Sequence, residues 1–387
     1  MRVAFVQAFG LNSPGGGPRI LRALLQDAPA QWTSFCTHPE PPSKPAFGME
    51  EHVPIRPWFG RIERTRFSWM PNKLEPLFAR RFERKLERRL KSCGATAVHS
   101  IPHGLDFIHA HRIARRLGLK FFVNVHDDVR HTAARVSGNE ECLTRLDEIW
   151  KDADGRFVIS EQLGEEYCDR YGRRPYHVIT DGLESLAKPC ARPESVLRIY
   201  FMGLFHIRYE PNFRVLLDAI ELVRKERPGL TVSAIFRCGG LRSSVIRDFR
   251  GLTVLPFGSE ADVDADMREA DLLYLPLPFS EDAGDFVRYS LSTKMITYLG
   301  SGLPILYHGP EVAAACSVLS GRDAAFRCCG LDSITLAEVL RKIVDQPAEV
   351  SAKVSNALSL AETRFMLRDQ RRRFWEAVIG VPDPGDS

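Results

Sequence analysis

Short apolar runs alternate with amphipathic stretches along the whole chain, and this alternation limits the possible fold more than any other feature. MRVAFVQAF (1–9) reads as a buried strand, LNSPGGGPR as a loop, and RILRALLQDA has the spacing of a helix. Strand, glycine loop and helix in that order are how a parallel α/β domain begins. AVHSI (97–101), KFFVNVHD (120–127), RFVIS (156–160) and YHVITDG (176–182) continue the strand series. HRIARRLG and SEQLGEEYCDRYG read as helices between them, the second with Ser160 as its cap. Strands separated by helices pair in parallel, which implies a doubly wound sheet.

The series breaks at LESLAKPCARPES (183–195), which holds two prolines and little periodicity, and a linker is expected over 185–196. Then it restarts. LRIYFMG (197–203), LTVSAIFRCG, LTVLPFG (252–258), DLLYLPL (271–277) and PILYHG (304–309) read as strands. PNFRVLLDAIELVRKERPG reads as a helix capped near Asn212, and LAEVLRKIV (336–344) and FMLRDQRRRFWEAV (365–378) as late helices. The expected fold class is α/β, with two Rossmann-like doubly wound domains facing across a cleft. The first domain should span 1–184 and the second 197–355, with a helix at about 360–380 packing back on the first. A chain of 387 residues suits two such domains. Ligands of open parallel sheets sit beyond the carboxyl ends of the strands, so each strand–loop junction is a candidate site.

Composition removes several classes. Hydrophobic residues make up 44% and charged residues 26%, as in soluble globular proteins. The nine cysteines form no C-x-x-C pair and read as reduced thiols of a cytoplasmic protein. The first residues fit a strand and not a signal peptide, and no run of about 18 apolar residues is present. G-x-S-x-G, the Walker loop and G-x-G-x-x-G are all absent. Their absence argues against a serine hydrolase, a P-loop phosphotransferase and a dinucleotide dehydrogenase. His103, His109 and His111 could ligate a metal, but core or surface roles are commoner for such histidines. Asp262-Val263-Asp264 and Asp264-Ala265-Asp266 match a metal-binding D-x-D by letters, yet they open a helix, where acids favour the dipole. No metal and no cofactor are expected.

Residues 56–91 stand apart in charge. They carry twelve Lys and Arg against four Glu, with Trp58, Phe59, Phe67, Trp69, Phe78 and Phe82 interleaved. The segment can be a surface that meets anionic lipid headgroups or an anionic acceptor. It can equally be a solvated helix face packed on its own domain. The first reading makes the protein peripheral at the inner membrane face. No nucleic-acid fold signature accompanies the charge, so a nucleic-acid partner is not expected.

Two stretches carry the chemistry. YSLSTKMITYLGSGLPI (289–305) opens a helix on Ser290, Ser292 and Thr293 and adds Lys294. Hydroxyls there can cap the helix, or its free N–H groups can bind a phosphate. YFMGLFHIRYEPN (200–212) puts Gly203 at a strand end, where a ligand can approach the backbone, and Arg208 in the next loop can pair with a diphosphate.

Read in order, G-x-x-H…N, F-G, A-D-L-L-x-L-P and S-x-x-T-K-x-x-x-Y-L-x-S-G-x-P-I resemble the donor domain of GT-B nucleotide-sugar glycosyltransferases. The closest pattern is the retaining family-4-like group. VNVHDD, VISEQLGEEYCDRYG and HVITDG resemble landmarks of that group's first domain, so the likeness runs along nearly the whole chain. It implies transfer of a sugar from a nucleotide diphosphosugar to a glycan or lipid-linked acceptor, with retention. It places Gly203 under the donor diphosphate with Arg208 as partner, and Phe257 and Gly258 beside the base. Ser290, Ser292, Thr293 and Lys294 would meet the phosphates. Gly15, Gly16 and Gly17 form the loop that faces the donor, and His126 and Asp127 form the catalytic end of a first-domain strand. The chain departs from the pattern as well. Tyr289 and Thr297 stand where many retaining members carry two glutamates, one cation replaces an Arg–Lys pair, and Asp181 replaces the commoner Asn. These departures keep open a non-catalytic nucleotide-sugar- or partner-binding module, and a sugar-nucleotide epimerase of similar fold.

Overall fold

The computed structural model describes residues 1–41, 47–55, 69–130, 139–189, 195–205, 207–239, 246, 248–280 and 284–380. The chain divides into two compact units, Met1–Gly182 with Leu367–Ser387, and Leu183–Met366.

The first unit holds seven strands: β1 (Arg2–Gln7), β2 (Gln31–Cys36), β3 (Glu50–His52), β4 (Ala97–Ser100), β5 (Lys120–Val125), β6 (Gly155–Val158) and β7 (His177–Val178). They stand in the order β3-β2-β1-β4-β5-β6-β7, and every pairing is parallel. Its helices are α1 (Gly16–Leu25), α2 (Trp69–Ser92), α3 (Asp106–Arg116), α4 (Asn139–Asp152) and α5 (Glu161–Tyr171). Val3, Ala4, Phe5 and Val6 are fully buried, as a central parallel strand covered on both faces requires. Ser160 caps α5 as expected, its Oγ accepting from Leu163 N at 3.1 Å.

The second unit holds β8 (Val196–Leu204), β9 (Thr231–Gly239), β10 (Leu252–Leu255), β11 (Leu272–Pro276), β12 (Ile305–His308) and β13 (Phe326–Cys328). Their order is β10-β9-β8-β11-β12-β13, again all parallel. Its helices are α6 (Glu210–Glu226), α7 (Glu260–Glu269), α8 (Gly284–Tyr289), α9 (Thr293–Leu299), α10 (Ala314–Ser320), α11 (Ser333–Asp345) and α12 (Pro347–Arg364). Phe213 anchors the core, with its ring centroid 4.9 Å from Phe201 and 4.8 Å from Phe236.

Each sheet starts at its centre, runs to one edge, then returns and runs to the other. The reversal opens a crevice past the carboxyl ends of β1 and β4 in one unit, and of β8 and β11 in the other. Asn212 secures the second crevice and does not cap a helix. The helix α6 starts earlier, at Glu210, with Pro211 in its first turn. Asn212 Nδ2 instead donates to Leu277 O at 2.9 Å and His308 O at 3.0 Å, tying α6 to the ends of β11 and β12. His308, pushed down to about 4 by burial, stays neutral, donates from Nε2 to Gly330 O at 2.9 Å and meets the Tyr274 hydroxyl at 2.6 Å.

The final helix, α13 (Leu367–Ile379), belongs to the first unit. Leu367, Gln370, Phe374, Trp375 and Val378 are its buried face, at the spacing of a helix stripe. Phe374 lies 4.9 Å from Phe157, and Trp375 Nε1 donates to Leu24 O at 2.9 Å. α13 is the helix expected at about 360–380; the helix before it, α12, ends at Arg364, and the second unit runs to Met366 rather than 355. Gly182 marks the crossing of the chain. A Cβ there would lie 2.6 Å from Leu367 Cα, a backbone atom that cannot swing away. Gly182→Ala should lower stability by about 1–3 kcal/mol, as overpacking does. An unchanged urea midpoint would contradict this packing.

Candidate functional site

In the second unit the chemistry gathers where β8 ends. Gly203 has φ 125°, a conformation that glycine alone adopts without strain. A Cβ there would stand 3.0 Å from Lys294 Cδ and 3.3 Å from its Nζ. The glycine therefore makes room for the lysine stem, and the two residues singled out from separate motifs touch. The Lys294 ammonium lies over the rings of Phe201, 4.8 Å from the centroid, and Tyr209, 5.3 Å away. Among the described residues no carboxylate pairs with it. Burial pushes its pKa down to about 8. Neither Phe201 nor Tyr209 was singled out in the sequence, where they read as a core position and a turn residue.

Arg208 lies half-buried in a short 3₁₀ turn, Ile207–Tyr209, in the loop after β8. Ser292 precedes α9 in extended backbone, but its side chain makes no capping hydrogen bond. Capping therefore does not account for that hydroxyl. Ser290 and Thr293 are half-buried beside it. The two places where the resemblance expects carboxylates hold Tyr289, 5% exposed, and Thr297, whose Oγ1 donates to Thr293 O at 3.2 Å.

Phe257 and Gly258 follow β10 rather than ending it. The Phe257 side chain is 60% exposed, and its ring covers Gly239, where a Cβ would be 2.2 Å from Cε2. Gly258 leaves space for Arg237 and Asp262. Two of the three acids of the D-x-D letters are engaged. Asp262 forms a capping box with Ser259, and Asp266 pairs with Arg237 and accepts from the Tyr200 hydroxyl at 3.1 Å.

In the first unit Gly15, Gly16 and Gly17 lead into α1, which has no side-chain cap and no acid in its first turn. Gly17 packs on the end of β5. A Cβ at that position would meet His103 Cε1 at 3.1 Å and His126 Nδ1 at 3.3 Å. The structure thus brings Gly17, His103 and His126 together. His126 is 5% exposed, and burial holds its pKa well below the usual value. Asp127 is half-buried and raises the pKa of His103 against the stronger lowering by burial. Asp128, by contrast, is wholly buried and bound to Arg170 and Arg130. Asp181 is buried against Arg19 of α1, Nε to Oδ2 2.9 Å.

The three histidines near α3 do not form one site. His109 pairs with Glu83 and His111 with Asp152, while His103 faces His126. Among the described residues no group of His, Cys, Asp and Glu is arranged to hold a metal ion. Of the basic segment, residues 56–68 lie outside the described residues. From Phe78 onward α2 buries Phe82, Leu86 and Leu90 and exposes Arg80, Arg81, Arg84 and Arg88, none of them ion-paired among the described residues.

No family model matches the chain, and no curated protein matches it. Solved structures do. Sucrose-phosphate synthase from Thermosynechococcus elongatus superposes with a TM-score of 0.70 at 14% identity, over 98% of each chain. Anabaena HepE in complex with UDP-glucose superposes with 0.68 at 12% identity, over 98% of this chain and 100% of that one. An α,α-trehalose 6-phosphate synthase from Burkholderia multivorans gives 0.64 at 15%, over 98% and 97%. The fold is that of the GT-B glycosyltransferases, two Rossmann-like doubly wound units. No described helix is long and apolar enough to cross a membrane.

Proposed function

We propose that the chain is a glycosyltransferase. It moves a sugar from a nucleotide diphosphosugar to a glycan or lipid-linked acceptor, with retention and without a metal. The observation that carries this reading is Lys294, a cation without a carboxylate partner among the described residues, laid along Gly203 at the mouth of the second unit's crevice. Breaking the sugar–phosphate bond leaves a diphosphate with growing negative charge, and a preorganised cation stabilises it. Arg208 in the adjoining loop supplies a second positive charge. HepE, of the same fold, is described in complex with UDP and with UDP-glucose, which supports a nucleotide-sugar donor.

A thermal-shift screen against UDP, GDP, ADP and their sugars tests this. A ligand at a hundred times its dissociation constant adds about 2.7 kcal/mol of stability. One nucleotide family should raise the melting temperature, and Lys294→Ala and Arg208→Ala should each lose most of the shift. No shift with any nucleotide would end the donor reading. Tyr289 and Thr297, in place of two carboxylates, favour a second reading, a nucleotide-sugar-binding module without turnover. Slow donor hydrolysis without acceptor belongs to the transferase and not to the module.

The exposed arginines of α2 support an anionic surface, at the membrane or on the acceptor. Reversing Arg80, Arg81, Arg84 and Arg88 to Glu should cut binding to vesicles rich in anionic lipid at least tenfold, since each basic residue near such a surface contributes about 1 kcal/mol. Equal sedimentation of wild type and variant with vesicles would remove the membrane from this proposal.

A further inference from the structure

Cys329, in the loop after β13, is the exposed thiol among the cysteines whose side chains are described, and it has no part in the glycosyl-transfer reading. Its neighbour Cys328 ends the strand, is 1% exposed and donates from Sγ to Gly330 O at 3.5 Å. Cys329 instead shares a hydrogen bond with the thiol of Cys316, in α10. Cys316 is 1% exposed. Both thiols also stand near Tyr307, whose hydroxyl donates to Pro310 O at 2.6 Å. An open thiol and a shielded one therefore meet where α10 faces the loop after β13.

The surroundings define what such a pair can do. Among the described residues no further His, Cys, Asp or Glu joins the two thiols in a group fit for a metal ion. Desolvation, then the Cys316 thiol, push Cys329 up to about 11, with Glu311 adding to the rise and Arg327 opposing it. The thiolate is the attacking form, so exchange at Cys329 is slow near neutral pH and quickens in alkali. The loop has room to move, since a Cβ on Gly330 would meet no atom within 4 Å. Gly330 O accepts from His308 Nε2 at 2.9 Å, and His308 O accepts from Asn212 Nδ2 at 3.0 Å. A bond from Cys329 to α10 would therefore fix the loop that holds the end of β12. In a reducing compartment, disulfides of this kind are transient and redox-sensing.

We infer that Cys316 and Cys329 form a reversible dithiol–disulfide site, closed by exchange with a small-molecule disulfide such as glutathione disulfide. Cys329, the accessible thiol, loses its proton and attacks one sulfur of glutathione disulfide. The glutathione sulfur–sulfur bond breaks, one glutathione thiolate leaves and takes up a proton, and Cys329 keeps the other half as a mixed disulfide. Cys316 then loses its proton and attacks the Cys329 sulfur, and the second glutathione leaves in the same way. The protein gives up two electrons and two protons, and one glutathione disulfide becomes two glutathiones. Excess glutathione reverses both steps.

The test is peptide mapping of the full chain after incubation with glutathione disulfide at pH 8 and quenching with N-ethylmaleimide, for wild type, Cys316→Ala and Cys329→Ser. Wild type should yield a linked pair of peptides holding Cys316 and Cys329, and dithiothreitol should separate them. Cys316→Ala should stop at a glutathione adduct on Cys329. Cys329→Ser should give neither product, since Cys316 is shielded from solvent. Oxidised wild type should also unfold at higher urea than reduced wild type, because the bridge constrains the unfolded chain. Three outcomes with the folded wild type overturn the proposal: no linked peptides, a glutathione adduct that persists on Cys329, or a bridge from Cys329 to another cysteine. A Cys316–Cys329 link that forms only in urea overturns it as well, since the folded chain would then hold the thiols apart. The wild-type result decides the matter even where a variant fails to fold.

Discussion

Asp128→Ala should cost the first unit about 3–5 kcal/mol, the penalty for stranding the partner of a buried ion pair. The carboxylate has no exposure, and both its oxygens are used. Arg170 Nη1 reaches Oδ1 at 3.1 Å and Nη2 reaches Oδ2 at 3.2 Å, a two-pronged pairing. Arg130 adds its backbone N–H to Oδ1 at 3.1 Å and its Nε to Oδ2 at 3.1 Å. Truncation leaves Arg170, on α5, without its buried counter-charge and removes the acceptor that starts the turn after β5. Burial alone would raise the Asp128 pKa, but hydrogen bonding and charge from Arg170 and Arg130 outweigh it and hold the pKa below the ordinary value. For a carboxylate depressed on folding, the stabilisation is present above the unfolded pKa, about 3.9, and is lost as pH falls through the lower folded value. The gap between wild type and Asp128→Ala in urea melts should therefore be full at pH 7 and shrink below pH 4. A gap under 1 kcal/mol at pH 7 would show that the pair is not holding the end of β5.

The same stretch shows what the sequence could and could not disclose. KFFVNVHD was legible as a strand because Phe121 to Val125 are buried on both faces, so the run is continuously apolar apart from Asn124. Strands β2, β3 and β13 were not. β2 buries Thr33 and Ser34, whose polarity hides the pattern, and Ser34 Oγ accepts from Gln7 Nε2 at 2.7 Å. β3 and β13 have three residues each, too few to show a period. In VNVHDD the letters mark two adjacent acids as equals, yet one is a buried structural anion and the other borders the histidine pair. Only packing separates them. The His103–His126 contact was illegible for the same reason, since 22 positions intervene and no spacing rule joins two strand ends. Lys294 and Gly203 were each legible from their own motif, but their contact follows from β8 and α9 being packed together. The buried face of α2, with Phe82, Leu86 and Leu90 at four-residue steps, was readable in principle, although the charge around it drew the reading outward.

Lys294→Met should stabilise the chain and at the same time weaken nucleotide binding. The lysine is half-buried over two aromatic rings, with no carboxylate among the described residues to offset its desolvation. Its folded pKa of about 8 lies below the ordinary lysine value of 10.5. Below pH 8 the ammonium is charged in both the folded and the unfolded chain, and the folded state bears the full burial cost. Between about 8 and 10.5 the unfolded chain binds a proton that the folded chain releases, so wild-type stability rises with pH through that window. Methionine has a similar length, fills the space along Gly203 and carries no charge. At pH 7 the variant should gain about 1–3 kcal/mol, after discounting the shift for partial exposure. The gain should vanish by about pH 10.5, where the wild-type lysine is neutral in both states. Nucleotide affinity should fall roughly 10- to 100-fold, the range for losing a charged hydrogen-bond partner, and wild-type affinity itself should weaken as pH passes 8. Urea melts at pH 7 and 10, with calorimetry against the nucleotide found in the screen, read all of this in one pair of proteins. A variant that is less stable at pH 7 would mean the rings over-compensate the burial cost. A variant that binds nucleotide as wild type does would place the diphosphate away from Lys294. Stability and binding moving in opposite directions is the signature of a cation kept at a cost for its ligand, which a merely structural lysine would not give.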